Sequence, residues 1–273
     1  MDRTLYLNEN KGLTVLRDGP SIWVKEDGKA GRRLPARLVG RVVIIGNLRL
    51  EAGVITLFTN SDIPVTFINH RGDAVAVAMP YNHHLPGHYE EQKVFLEAEG
   101  NIERYKSWLY ARRKETQINV IGRISKGVAG LFAAKGFREK DYRRIIEKFK
   151  PSNDELWKVE SGVVSNLFRE MIIGSIVKAD LDPHLGVIYR RHNFSLALDI
   201  CHILEAEIDM QCIQFIKTAG EKGYIVKDQT GWAVSKAGMR DIIHRFENRR
   251  KQIHLTVEKL IDDIFELMRE LRR

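Results

Sequence analysis

Glu160 stands near the head of one amphipathic helical pattern, and Asp199 and His202 lie three apart on another. A carboxylate on one helix and a polar pair on a second, brought together across a fold, is a common way to hold a hard divalent cation against a phosphate. On the helix beginning near Asp154, Glu160 is in register with Val164, Leu167, Phe168 and Met171. Its carboxylate therefore projects toward the apolar side, where an ion is costly unless paired or coordinated. The alternative is a first-turn glutamate favoured by the helix dipole. Ser161 and Gly162 behind it are small enough to admit another backbone or a DNA strand. Asp199 and His202 share one helical face beside Leu196, Ile200, Ile203 and Leu204. Such a pair binds a cation, sets up a general base, or is a solvated flank.

Between these residues, Asp182-Pro183 and Gly186 shape a turn that ends at Tyr189, followed by Arg190, Arg191 and His192. Ser195 is placed to cap the next helix. His83, His84 and His88 have neither cysteine nor acidic partners at ligand spacing, so they read as surface histidines. Gly28-Lys-Ala-Gly31 completes no phosphate-binding loop, and neither a G-x-S-x-G elbow nor a papain-like cysteine is present. Hydrolase chemistry with a protein nucleophile is therefore not expected. Cys201 and Cys212 fall on what reads as a single helix, roughly 16 Å apart along its axis, too far to bridge.

Two domains must position these residues. Up to about residue 86 the chain holds short β-branched runs separated by Gly, Asn and Asp turns: Thr4 to Leu7, Leu13 to Leu16, Ser21 to Val24, Arg41 to Ile45, Val65 to Ile68 and Ala74 to Ala78. Glu51 to Thr59 reads as one covering helix that buries Val54, Ile55 and Phe58. Pro80 to His88 reads as a linker, after which helical spacing runs to the end, including Ile253/Val257/Leu260/Ile264/Leu267/Leu271. The expected class is α+β: a β-rich domain over residues 1–86 and an all-α domain over 87–273. The pI near 9.4 and net charge of +8 favour a polyanionic partner. A basic run from Arg104 to Lys150, with Trp108, Tyr110 and Tyr142 interleaved, is either a phosphate-tracking surface or a set of solvated helix faces. The N-terminus lacks a signal-peptide pattern and no apolar run reaches the ~18 residues of a membrane span, so a soluble cytoplasmic protein is expected.

Several stretches resemble the CRISPR-associated integrase and endonuclease of the spacer-acquisition complex, the first of the numbered Cas proteins. In the β-rich half these are Val42 to Leu50 and Ile63 to Gly72. In the helical half they are Glu160-Ser-Gly162, Asp182-Pro-His-Leu-Gly-Val-Ile-Tyr189, Ser195 to Asp199, Gly231 to Gly238 and Phe246-Glu-Asn-Arg249. The resemblance implies a β domain that forms a homodimer and an α domain that holds Mg²⁺ or Mn²⁺. It also implies assembly with the small second numbered Cas protein and strand transfer on double-stranded or branched DNA, with a metal ion rather than a protein nucleophile lowering the barrier.

By the same resemblance Glu160 is the first metal ligand, Tyr189 occupies the position of a ligating His, and His202 that of a ligating carboxylate. A neutral phenol is a poor ligand for a hard cation, and His for carboxylate removes a negative charge. Three readings stay open. Glu160, Asp199 and His202 form a rearranged catalytic site leaning to Mn²⁺, with Glu160 and His202 on the metal; or the chain keeps dimerisation and DNA binding without integrase activity; or it is a DNA-binding structural protein.

Overall fold

A computed structural model of the chain describes residues 3–69, 71–80, 85–219, 222–228 and 231–270. His83 and His84 lie outside the described residues. The chain divides into two compact units, residues 1–84 and 85–273.

The first unit holds two four-stranded sheets and one helix. Its strands are β1 (Arg3–Asn8), β2 (Thr14–Asp18), β3 (Ser21–Lys25), β4 (Arg32–Pro35), β5 (Val39–Ile45), β6 (Arg49–Leu50), β7 (Val65–Ile68) and β8 (Ala74–Ala78), with helix α1 (Ala52–Thr59) between β6 and β7. One sheet runs β1-β5-β7-β8, with β1, β5 and β7 parallel and β8 antiparallel; the other runs β4-β3-β2-β6. Val42 to Ile45 are all buried in succession, as expected of a parallel strand covered on both faces. Val15, Ile22, Val42, Val54, Phe58 and Val65 form the centre of the core. Leu57 rather than Ile55 joins Val54 and Phe58 as a buried face of α1. The sequence reading missed β4 and β6, which carry Arg-Arg and Arg-Leu and so lack an apolar alternation to read.

The second unit is helical: α2 (Tyr89–Glu97), α3 (Glu99–Ile124), α4 (Lys126–Lys135), α5 (Glu139–Glu147), α6 (Asp154–Lys178), α7 (Ser195–Ile203), α8 (Glu205–Ala219) and α9 (Lys236–Glu270). It is not all-α. The antiparallel hairpin β9 (Ile225–Asp228) and β10 (Gly231–Val234) separates α8 from α9. Central α6 is buried on most sides and packs against α7, α8, α9 and β10, which explains why even polar Asn166, Glu170 and Ser175 are buried among its apolar residues. Helix α9 folds back onto α2, α6 and α8 of its own unit. Its buried stripe is Ile253, Val257, Leu260, Ile261, Ile264 and Met268; Leu267 is half-buried and Leu271 lies outside the described residues.

The expected single helix carrying both cysteines is two helices. Leu204 interrupts it, so Cys201 belongs to α7 and Cys212 to α8, and both thiols are free. No helix among the described residues is long and apolar enough to cross a membrane.

Candidate active site

The segment 182–194 is tied to the start of α7 residue by residue. Asp182 turns it by accepting from the His184 amide at 2.8 Å, while Gln92 of α2 accepts from the Asp182 amide at 2.6 Å. Gly186 then passes so close to α7 that a Cβ there would lie 2.4 Å from the Ser195 carbonyl carbon. Only glycine fits that approach. Ser195 is the first residue of α7 rather than its cap, which is Phe194 in left-handed conformation at φ 59°. Its hydroxyl works sideways instead: it accepts from the Gly186 amide at 2.8 Å and donates to the His184 carbonyl.

Asp199 completes this attachment. Its buried carboxylate accepts from the amides of Val187 at 2.6 Å, Ile188 at 3.1 Å and Tyr189 at 3.1 Å. Burial pushes its pKa up while the three N–H groups hold it down, and the nearby buried phenol of Tyr105 is itself raised, first by burial and then by Asp199. Both oxygens of Asp199 are committed to backbone. It is a positioning residue for the Tyr189 loop.

Tyr189 and His202 meet beyond that loop. The Tyr189 hydroxyl is 3.4 Å from His202 Nδ1 and the rings cross edge-on at 5.9 Å. Between them and α5 lies a residue that sequence reading left in the basic run, Arg113 of α3. Its guanidinium, in a residue only 5 % exposed, donates to the His202 carbonyl, reaches His202 Nδ1 at 3.3 Å, and pairs with Glu205 at 2.5 Å and Glu139 at 3.1 Å. A guanidinium has no acceptor, so Nδ1 must accept and the neutral ring carries its proton on Nε2. Burial first, then the Arg113 charge, lowers the His202 pKa, and burial followed by Glu205 raises that of Tyr189. The cluster thus presents a neutral phenol, a neutral imidazole and a built-in cation facing two carboxylates.

Glu160 comes from a different helix, α6. Helix α6 begins at Asp154 under an Asn153 cap, so Glu160 is beyond the first turn, and the first-turn alternative does not hold. The side chain is fully buried and neither oxygen has a hydrogen-bond partner among the described residues. Arg245 of α9 is the charge that acts on it, yet that guanidinium is spent on Asp241, the Gln214 carbonyl and Thr218. The charges acting on His202 come from Arg113, Glu205, Glu139 and Arg143 instead. The structure brings Tyr189, Asp199 and His202 together, and the Glu160 carboxyl acts on buried Cys212 of α8.

These residues do not fit a hard divalent cation. Nδ1 of His202 is engaged by donors, Asp199 by amides, and a guanidinium already balances Glu139 and Glu205. Among the described residues no group of three or more His, Cys, Asp and Glu side chains could hold a metal ion. Signals for the missed residues were present in sequence. Tyr105, Leu109, Arg113, Gln117 and Ile121 recur every fourth residue on the buried face of α3, so Arg113 interrupts an otherwise inward stripe.

The family model described as CRISPR associated protein Cas1 matches residues 5–162, more than half of the 273 residues. The chain belongs to the Cas1 family. The matched part ends at Gly162, before the Tyr189, Asp199 and His202 stretch. Among solved structures, a Cas1 protein from Thermotoga maritima is similar at 12% identity and TM-score 0.79, covering 97% of each chain. A casposase bound to integration product is similar at 17% identity and TM-score 0.73, covering 99% of this chain and 91% of that one. A chain of a Cas6-RT-Cas1–Cas2 complex gives 12% identity and TM-score 0.76, with 99% of this chain matching 35% of that one. At these identities the likeness shows the Cas1 fold alone. No curated protein matches the chain significantly in sequence.

Two outcomes follow from the charges. Burial lifts the Glu160 carboxyl from its ordinary 4.5 to about 9. The folded protein keeps this proton where the unfolded chain has lost it, so stability is full below the ordinary carboxylate range. It falls as pH rises toward the folded value, by at most ~1.4 kcal/mol per pH unit. Glu160→Gln is expected to be more stable than the native chain at pH 8 and to converge with it in acid, read by thermal unfolding across pH. Arg113→Met removes a charge that depresses the His202 pKa while stranding two carboxylates. His202 should then titrate at higher pH by NMR, and stability should drop by about 3–5 kcal/mol.

Proposed function

We propose that this chain is a Cas1-family DNA-binding protein of the CRISPR adaptation type whose central site does not carry out metal-dependent strand transfer. The observation that carries the reading is the Arg113 guanidinium, held between Glu139, Glu205 and His202 where the resemblance calls for a metal site. A cation fixed there balances the two carboxylates without a divalent ion, and protonated Glu160 offers no charge to one. The basic composition, with a net charge of +8, supports a polyanionic partner.

DNA and a small second Cas protein are the partners this reading assigns. Support comes from relatives of the fold that were solved as a casposase bound to integration product and as part of a Cas1–Cas2 assembly. The β-rich unit serves as the homodimer surface and the protein acts in the cytoplasm. Tyr189, His202 and Asp199 then serve as architecture: Asp199 holds the loop, and the phenol and imidazole pack against the guanidinium.

The test joins binding to chemistry on one branched DNA substrate. Binding should weaken steeply between low and physiological salt, because neutralised phosphates release counterions. No nicking or strand transfer is expected with Mg²⁺ or Mn²⁺. Activity that disappears in Glu160→Ala would instead establish the Mn²⁺-leaning site of Glu160, Asp199 and His202, and absent or salt-insensitive binding would contradict the DNA reading altogether.

A further inference from the structure

We infer that the hairpin β9–β10 and the opening turn of α9 form a docking surface for the phosphate backbone of double-stranded DNA, built from residues outside the Arg113 cluster. The inference rests on the DNA-binding reading and names the surface that performs it.

Between residues 217 and 240 the sequence places Lys217, Lys222, Lys227, Lys236 and Arg240 against only Glu221 and Asp228. All five cations are exposed. None has an ion-pair partner among the described residues. In the basic run of α3 to α5, by contrast, many cations, Arg112, Arg113, Arg123, Arg138, Arg143 and Lys150 among them, are already paired with an acid. A phosphate would compete with carboxylates at those paired positions, whereas among the described residues no acid is paired with the hairpin cations. Tyr142, one of the rings expected to stack bases in that run, is buried with its hydroxyl on Asp209 at 2.7 Å.

The lysines of the hairpin region are also held in place. Lys217 sits over the Phe149 ring at 5.6 Å, Lys222 over Tyr224 at 5.6 Å and Lys227 over Trp232 at 5.8 Å. Each ring holds an ammonium over its face while the lysine itself stays exposed. With cations on their faces these rings are not free platforms for bases, so the partner offers phosphates rather than unstacked nucleotides. The platform is rigid. The Ser235 amide donates to the Tyr224 carbonyl at 2.8 Å, Tyr224 stacks on Phe215 at 5.8 Å, and a Cβ on Gly238 would lie 2.4 Å from the Tyr224 carbonyl oxygen. In addition α9 opens on Lys236 with no acid in its first turn, so cations stand where the helix dipole favours an anion. An external phosphate would relieve that repulsion.

The experiment compares the full native chain with Lys222→Ala/Lys227→Ala/Lys236→Ala/Arg240→Ala, titrating a labelled DNA duplex at several salt concentrations. The variant should bind at least tenfold more weakly at moderate salt, and the slope of log K against log salt should shrink by about 3, near 0.9 per lost phosphate contact. Lys236→Glu provides a second variant that keeps the fold, because an acid suits the first turn of a helix; it should weaken binding severalfold. If the native chain binds duplex and both variants match its affinity and slope, the surface is elsewhere and only this inference falls. If the native chain fails to bind duplex, the DNA reading falls with it.

Discussion

Arg113 is a cation on the inward face of a helix, with almost no solvent to share its charge. A lone guanidinium in that position would be far too costly, so its neighbours are constrained: acceptors must surround it, and they must come from different helices. Glu139 arrives from α5, the His202 carbonyl from the end of α7 and Glu205 from the start of α8. The break between α7 and α8 at Leu204 presents that free carbonyl and swings Glu205 toward the same charge. One side chain thereby orders four helices and, after burial, helps hold the His202 pKa down.

Around this centre the positioning apparatus is complete. Gly186 permits the close pass, Ser195 and Asp199 bind the loop by its amides, and Tyr189 is delivered to His202 with little freedom. What differs from a cation site is the charge at its focus. Tyr189 and His202 are neutral groups, and the Arg113 guanidinium supplies positive charge beside them. In this Cas1-family chain the carboxylates of Glu139 and Glu205 are balanced by a residue of the chain itself.

Much of this was legible in the sequence, and the failures have physical causes. The α+β class and the shared face of Asp199 and His202 followed from alternation and helical spacing, whereas Tyr189 was joined to them only through the family resemblance. The hairpin near Trp232 was read as helix because its strands are only four residues each and are flanked by strong helical patterns. Ser195 was read as a cap because its type and place suit one, whereas the left-handed Phe194 takes that position and frees the hydroxyl. Glu160 was correctly read as inward-facing, but a helical face says nothing about which neighbour it meets; that neighbour is the Cys212 side of α8. Arg113 was hidden among basic residues because charge runs suggest surface, although its fourfold spacing with Leu109 and Gln117 pointed inward.

The central claim is that Arg113 occupies the charge position a metal would need. It is tested most directly by adding Mn²⁺ to isotopically labelled protein and following paramagnetic broadening of the NMR signals around Tyr189, His202 and Glu160. Uniform, weak broadening without a focus at any of the three, even at millimolar Mn²⁺, is the result the structure predicts. Selective loss of signals around Tyr189 and His202, or around Glu160, at micromolar Mn²⁺ would contradict it.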